Sequence, residues 1–156
     1  MIIDIIEENI PRSIRKSIYQ LLAEMYGLNS PNEFDLPDYK DFESFIEGDM
    51  ELNTHILIYC QDQKAVGCLY LGNYEYDNET FYKEGCMHFS NLHVLAEYRR
   101  QGIATKLMKY AEELAKEEGI HVLSSSYDEM NKKSESVHRK SGFKVIEKTI
   151  NVIKEI

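Results

Sequence analysis

A strand-like run that passes into an amphipathic helix within a few residues limits the folds open to this chain. Residues 86–95 have the composition of a β-strand. Residues 102–118 follow with apolar side chains at helical spacing: Ile103, Leu107, Tyr110, Ala111 and Leu114. Gly119 then supplies a helix stop. Strand followed directly by helix indicates a mixed α/β fold.

The remaining segments extend this pattern over all 156 residues. Further strands are predicted at 1–6, 54–60, 65–71, 120–127 and 143–153, and further helices at 11–25, around 42–46 and at 131–140. The order βααβββαβαβ predicts an α/β (α+β) fold with a partly antiparallel central sheet flanked by helices. Gly67 is a candidate bulge position. The length and 43% hydrophobic content suit one domain over residues 1–156.

Charged side chains are distributed unevenly along the chain. The net charge is −9, and residues 33–51 alone carry −7, whereas residues 99–148 carry +3. The acidic excess disfavours nucleic acid and anionic membranes as partners and favours a cationic one. A charged run is also typical of an ordinary solvated face, so the asymmetry has meaning only beside a ligand site.

The cysteines and the N-terminus bear on the cellular compartment. Cys60, Cys68 and Cys86 form no C-x-x-C pair and lack the histidine spacing of a zinc site, which predicts reduced thiols and no metal. The first residues carry acids where a secretory signal would carry bases. We therefore expect a cytoplasmic protein with no membrane partner.

The predicted helix start at Gly102 has the features of an anion site. First-turn amides have no intrahelical partner, and the helix dipole adds positive charge there. Gly102 lets an anion approach the backbone, Thr105 offers a hydroxyl, and Arg99, Arg100 and Lys106 supply charge. A pyrophosphate is the natural ligand, with an ordinary charged helix start as the alternative. The chain contains neither G-x-G-x-x-G nor G-x-x-x-x-G-K-[ST], which sets aside dinucleotide-binding folds and P-loop hydrolases.

Two motifs in this chain resemble those of the GNAT superfamily of N-acetyltransferases. The first, [RQ]-x-x-G-x-[GA], is matched by Arg99, Gly102 and Ala104. The second, N-x-x-[AS]-x-x-x-Y-x-x-x-G-F, is matched in register by Asn131, Ser134, Gly142 and Phe143, with His138 where Tyr is usual. The resemblance covers essentially the whole chain and implies a GNAT-like acyl-CoA N-acyltransferase fold.

The resemblance implies that acetyl-CoA is the co-substrate and binds where the strand of 86–95 splays from that of 120–127. The backbone of Leu92, His93 and Val94 would pair with the pantetheine arm and polarise the thioester carbonyl. The pyrophosphate would be held by the turn that carries Arg99, Arg100, Gln101, Gly102, Ile103, Ala104 and Thr105. Asn131 would contact the arm, with Ser134 in the same coenzyme site.

The family reaction is direct attack of an amine on the thioester, without a covalent enzyme intermediate. Deprotonating an amine of pKa near 10 at pH 7 costs about 4 kcal/mol, whereas protonating a thiolate of pKa about 8.5 is worth only about 2 kcal/mol. Base catalysis therefore matters more than acid catalysis. The resemblance makes His138 the group facing the thiolate, as donor or hydrogen-bond partner. The base is left open among His88, His93, Asp128, Glu129 and a water chain to an acidic residue.

The acceptor is predicted to be a cationic small-molecule amine. His138, the long 73–84 segment and the uninterrupted C-terminal segment resemble the aminoglycoside 6′-N-acetyltransferase branch. That branch usually carries two acceptor-binding carboxylates where this chain has Ser90 and Ser126. A polyamine, an amino sugar and a peptide amine stay open as acceptors, as do a homodimer and a catalytically weak acyl-CoA-binding regulatory module.

Overall fold

The computed structural model describes residues 1–6, 10–27, 46, 50–51, 53–73, 86–146, 148 and 153–154. Five strands in these residues form one sheet: β1 (Ile2–Asp4), β2 (His55–Gln61), β3 (Lys64–Asn73), β4 (Cys86–Val94) and β5 (Val122–Ser124). The described helices are α1 (Arg12–Met25), α2 (Ile103–Glu117) and α3 (Lys132–Lys140). A 3₁₀ turn at Ala96–Tyr98 connects β4 to the loop before α2.

The strands lie in the order β1-β2-β3-β4-β5. Neighbouring strands are antiparallel from β1 to β4, and only β4 and β5 run parallel. The parallel pair is the one joined through α2, because a parallel connection needs a crossover long enough to contain a helix. The mixed sheet and the α/β fold predicted from the sequence are confirmed.

Helices α1 and α2 cover opposite faces of the sheet. Cys68 Sγ lies 3.5 Å from Met25 Sδ of α1, and Ser17 Oγ of α1 accepts a hydrogen bond from the Ala65 amide at 3.0 Å. The adjacent residue, Gly67, faces Ile103 of α2 instead. Successive residues of a strand point to opposite faces, so β3 is buried on both sides and reads as a continuous apolar run.

A bulge lies beside Gly67, as the sequence suggested. Tyr59 pairs with Gly67 and Cys60 pairs with Ala65, which leaves Val66 as the extra residue of β3. A side-chain carbon at position 67 would lie 3.0 Å from Ile103 Cγ2 and 3.2 Å from the His93 carbonyl oxygen. Glycine therefore allows α2 to approach the sheet at its first turn.

We expect Gly67→Ala to lower the free energy of unfolding by about 1–3 kcal/mol, because the added methyl overpacks a rigid contact. Ile103 is β-branched and adjusts its Cγ2 position poorly. Urea unfolding of Gly67→Ala, Ile103→Leu and the double variant measures the coupling, since leucine has no methyl on Cβ. An equal cost of Gly67→Ala with Ile or Leu at 103 would contradict this account.

A buried ion network joins β1, β2 and the end of α2. His55 is 5% exposed, and its Nδ1 and Nε2 donate to Asp4 Oδ2 at 2.5 Å and to Glu118 Oε1 at 2.6 Å. Asp4 Oδ1 also accepts from the amides of Ile6 and Ile56. Since carboxylates only accept hydrogen bonds, both ring nitrogens of His55 carry protons in this arrangement.

The chain divides into two compact units, residues 1–126 and 127–156. The first contains the sheet with α1 and α2. The second contains α3, whose first turn is capped by Asn131 Oδ1 accepting the Ser134 amide at 3.0 Å. The single domain over residues 1–156 stays a prediction.

The described elements overlap the predicted segments, but β2 ends at Gln61 and β3 runs from Lys64 to Asn73, beyond the predicted 54–60 and 65–71. Strand β5 has three residues, against eight in the predicted 120–127. In the second helix, predicted around 42–46, Ile46 is helical and buried. The other residues of that prediction lie outside the described residues. Residues 143–146 have no strand pairing, and most of the last predicted strand lies outside the described residues, as do 33–45 and 74–85.

The free cysteines Cys60, Cys68 and Cys86 are all buried. In the described ranges, no helix is both long and apolar enough to cross a membrane.

Candidate active site

Strand β4 has a bulge where the sequence predicted contacts to a coenzyme arm. Cys68 pairs with His93 and Tyr70 pairs with Ser90, so Asn91 and Leu92 together oppose the single residue Leu69. Asn91 has φ of +51°, a left-handed conformation that asparagine tolerates better than most residues. Such a bulge bends the strand and changes the direction of its amides and side chains.

Strands β4 and β5 separate just before this bulge. Their pairing covers only Cys86–His88 against Val122–Ser124. Within the described residues, β4 continues to Val94 without a strand partner on that edge. An amide-bearing arm such as pantetheine can pair with an open strand edge, because backbone donors and acceptors there need partners.

Two residues of the loop from β4 to α2 have a left-handed backbone conformation just before the helix begins. Arg100 has φ of +61° and Gly102, the N-cap residue of α2, has φ of +77°. No side chain caps α2, and its first intrahelical bond runs from the Lys106 amide to the Gly102 carbonyl at 3.0 Å. The amides of the first turn are thus uncapped donors of the kind that can bind phosphate oxygens.

Basic side chains of this loop are positioned by specific contacts. Arg99 Nε donates to the Val94 carbonyl at 2.8 Å, which ties the guanidinium to the end of β4. Gln101 Nε2 donates to the Glu97 carbonyl at 3.5 Å. Lys106 Nζ lies 3.3 Å from the Tyr59 hydroxyl and 5.5 Å from the centre of its ring. Lys64, by contrast, pairs with Glu97 at 2.9 Å, so hydrogen bonding to this carboxylate raises the lysine pKa.

The structure gives the four candidate bases very different environments. Asp128 Oδ1 accepts the Met130 amide at 2.7 Å, and Glu129 pairs with Lys148 at 3.1 Å. His88 Nδ1 lies 2.9 Å from Ser124 Oγ, and burial lowers the pKa of His88. His93 differs from all three, since its Nε2 lies 3.1 Å from the carboxylate of Glu24.

The second unit contains Asn131, Ser134 and His138. His138 is buried between the rings of Tyr127 and Phe143, with centroids 4.8 Å and 5.4 Å from its own. Its Nδ1 donates to the Ser134 carbonyl at 2.8 Å and lies 3.3 Å from Ser134 Oγ. A proton held on Nδ1 makes Nε2 an acceptor in the neutral ring, so only the imidazolium donates from Nε2.

The structure thus brings together Leu92, His93, Val94 and the turn of residues 99–105 within the first unit. The model of the acetyltransferase (GNAT) family matches residues 15–143, which is most of the chain. This chain belongs to the GNAT family. It is therefore an acetyltransferase by family, and acetyl-CoA is the co-substrate that this membership implies.

Solved structures support the GNAT fold over the full length. The aminoglycoside acetyltransferase AAC(6′)-Iy, bound to a bisubstrate analogue, superposes with a TM-score of 0.73 at 17% identity, covering 100% of this chain and 98% of that one. AAC(6′)-IG from Acinetobacter haemolyticus gives 0.70 at 20% identity and coverages of 100% and 99%. A transcriptional regulator from Bacillus halodurans gives 0.71 at 20%, with 99% of both chains covered. No curated protein matches this GNAT chain.

One functional candidate in this GNAT chain was missed by sequence reasoning. Glu24 belongs to the predicted helix of 11–25, where it reads as one more solvent-facing acid. Its pairing with His93 joins residues 69 positions apart and depends on α1 lying across β3 and β4. No local periodicity signals such a contact, because it is created by the packing of α1 against the sheet.

Proposed function

We propose that this protein moves the acetyl group of acetyl-CoA to a primary amine of a cationic small molecule in a ternary complex. The amine nitrogen attacks the thioester carbonyl carbon, the C–N bond forms, and the C–S bond breaks. One amine proton passes to a base, and the departing thiolate is protonated. The observation that carries the proposal is the uncapped, left-handed turn at Gly102 next to the open edge of β4.

The coenzyme roles proposed for individual residues follow the same geometry. The first-turn amides of Gly102 to Thr105, with Arg99 and Arg100, would bind the pyrophosphate, which is dianionic and so favours charge-assisted bonds. The backbone at Leu92 to Val94 would pair with pantetheine beside the bulge. For Asn131, whose Oδ1 already caps α3, we propose that the amide nitrogen contacts the arm.

The class of acceptor rests on charge and on structural likeness. AAC(6′)-Iy, AAC(6′)-IG and a metagenomic aminoglycoside acetyltransferase in complex with sisomicin share the fold at 17–20% identity. The acidic segment 33–51 suits a polycation, although most of it lies outside the described residues. Ser90 and Ser126 stand where the aminoglycoside branch usually carries acids, so we commit only to a cationic amine. Because of the structural neighbours, we propose aminoglycosides as the first class to test. We also propose that the protein works in the cytoplasm, where acetyl-CoA is made available.

Thiol release from acetyl-CoA provides the test. Purified protein is incubated with acetyl-CoA and panels of aminoglycosides, polyamines and peptide amines, and products are identified by mass spectrometry. The expected result is an N-acetylated small cationic amine. Acetylation of peptide amines alone would contradict the proposed acceptor class.

The second candidate function is an acyl-CoA-binding regulatory module. The specific observation that favours it is the likeness, at a TM-score of 0.71, to a protein described as a transcriptional regulator. Calorimetric binding of acetyl-CoA with no acetylated product across all three panels would replace the enzyme by this module.

We propose His138 as the group that hydrogen-bonds or protonates the leaving thiolate. His138→Phe keeps a ring between Tyr127 and Phe143 but removes both nitrogens, so we expect about tenfold slower turnover with nearly unchanged acetyl-CoA affinity. His138→Tyr adds one hydroxyl to that ring and should restore the rate. Unaltered turnover of His138→Phe at saturating acetyl-CoA would contradict the role.

A further inference from the structure

We propose that His93 is the general base for the acceptor amine and that Glu24 of α1 is its positioning residue. This inference rests on the proposed function and assigns the proton acceptor that the reaction needs. The pair lies at the bulged end of β4, in the part of the first unit where the coenzyme arm is proposed to bind.

The geometry of the pair orients the imidazole. Glu24 Oε1 accepts from His93 Nε2 at 3.1 Å, and the two side chains are 39% and 20% exposed. A carboxylate accepts but does not donate, so it holds the ring proton of neutral His93 on Nε2. The Nδ1 atom then presents a lone pair, and it makes no hydrogen bond to any described residue.

His93 lies on the face of the sheet from which we infer that the amine arrives. His93 pairs with Cys68 and so shares the α1 face of the sheet, whereas α2 and its anion-binding turn lie on the opposite face. A coenzyme with its phosphates at the start of α2 enters from that opposite face. An arm passing between β4 and β5 then carries its acetyl end toward the α1 face, where His93 lies.

Neighbouring polar groups on β3, β4 and the residue after α1 have hydrogen bonds of their own. The register partner Cys68 directs Sγ to Met25 Sδ and the Asn91 carbonyl, and the Tyr26 hydroxyl accepts from Asn91 Nδ2 at 3.4 Å. Among the described residues, Glu24 is the charged group that pairs with His93. The carboxylate therefore fixes the orientation of the ring.

The proton balance follows from this arrangement. The protonated acceptor amine first gives one proton to His93 Nδ1, which frees the nitrogen lone pair and makes the ring an imidazolium. The neutral nitrogen then bonds to the carbonyl carbon, the C–S bond breaks, and a second N–H proton balances the one taken up by the departing thiolate. The Glu24 carboxylate faces the new positive charge and stabilises it, as an opposite charge favours the charged form. The imidazolium then returns its proton to solvent, to which the side chain is partly exposed.

The other candidates are less suited to this step. Asp128 and Glu129 are engaged by a backbone amide and a lysine, respectively, and both lie in the second unit. His88 has its Nδ1 bonded to Ser124, and burial lowers its pKa, which weakens it as a base. Geometry and partner together favour His93.

The test compares three variants with the acceptor found in the amine panel: His93→Ala, Glu24→Gln and Glu113→Gln. Glu113 is an exposed α2 acid that pairs with Lys109 at 4.0 Å, so Glu113→Gln controls for loss of one surface charge. We expect about a hundredfold lower kcat for His93→Ala and about tenfold for Glu24→Gln. The acetyl-CoA dissociation constant should change less than twofold, and Glu113→Gln should match the native protein.

Two further readouts separate chemistry from structure. Added imidazole should restore His93→Ala by tenfold or more, because a free base can occupy the vacated site. In Glu24→Gln the loss should fall on kcat and leave the KM for the amine nearly unchanged, since an amide donates as well as accepts and no longer fixes the ring proton on Nε2. Substituted imidazoles should rescue in the order of their basicity.

Each outcome bears on a distinct proposal. Native-like kcat in His93→Ala, or a loss that imidazoles of any basicity fail to restore, overturns His93 as the base. An unchanged kcat in Glu24→Gln, or a loss confined to KM, overturns Glu24 as its positioning residue. No acetylated amine with the native protein, despite acetyl-CoA binding, overturns the proposed function and the base with it, and so is distinguished from failure of the base alone.

Discussion

Gly102→Val is expected to weaken acetyl-CoA binding by at least about a hundredfold. Gly102 has φ of +77°, and a β-branched residue with positive φ is a genuine outlier that costs about 1–2 kcal/mol. Relaxing that strain turns the first-turn amides away from the phosphates. Losing two charge-assisted bonds at about 1.5 kcal/mol each gives about 3 kcal/mol, or roughly a hundredfold in the dissociation constant.

Gly119→Val is the matched control for this prediction. Gly119 follows the other end of α2 with φ of +75°, and added side-chain carbons at both positions meet no atom within 4 Å. Both variants should therefore lose similar unfolding free energy, measured by urea titration. Calorimetry should find native acetyl-CoA affinity in Gly119→Val alone. Equal loss of affinity in the two variants would mean that general destabilisation, rather than the altered turn at Gly102, weakens acetyl-CoA binding.

His55→Phe is expected to lower the free energy of unfolding by about 3–5 kcal/mol, because it removes the opposite charge beside the buried Asp4 carboxylate. His121 is exposed, so His121→Phe should change the stability by less than about 0.5 kcal/mol. Chemical denaturation at pH 6 measures both. If Asp4→Asn in the His55→Phe background fails to recover part of the loss, the uncompensated carboxylate is not its cause.

The same network gives a signed pH dependence. Burial alone would lower the pKa of His55, but hydrogen bonds and charge from Asp4 and Glu118 outweigh it and raise that pKa. The folded state then binds more protons than the unfolded state above the unfolded pKa of about 6.5. The contribution of His55 is complete below that pH and is lost as pH rises through the folded pKa. Unfolding measured at several pH values should show this decline in the native protein and not in His55→Phe.

The sequence predicted most of the fold because its signals are local. The helix predicted at 102–118 and the strand predicted at 86–95 agree with α2 and β4 to within one residue at each end. The predicted strand 120–127 is shorter in the structure, because β5 pairs with β4 over only three residues before the two separate. The length of a strand depends on how far its partner strand pairs with it, and the sequence of one segment carries no information about that partner.

Some residues of the candidate site could be predicted from local sequence, and others could not. The left-handed turn at Gly102 was predictable as a candidate anion site, since Arg99, Gly102 and Thr105 lie within one loop and helix turn and glycine's conformational freedom is an intrinsic property. The proposed base could not be chosen from the sequence, because His88, His93, Asp128 and Glu129 all read as polar residues near strand ends. Their hydrogen-bond partners, from Ser124 to Glu24, distinguish them.

By itself, then, the sequence determined the order of helices and strands, the glycine at the start of α2 and the family to which the chain belongs. These depend on residues within a few positions of each other. The tertiary structure alone decided the bulge at Asn91, the Asp4–His55–Glu118 network and the contact of Glu24 with His93. The reason is physical: a hydrogen bond acts over about 3 Å, and only packing brings residues 50 to 70 positions apart within that distance.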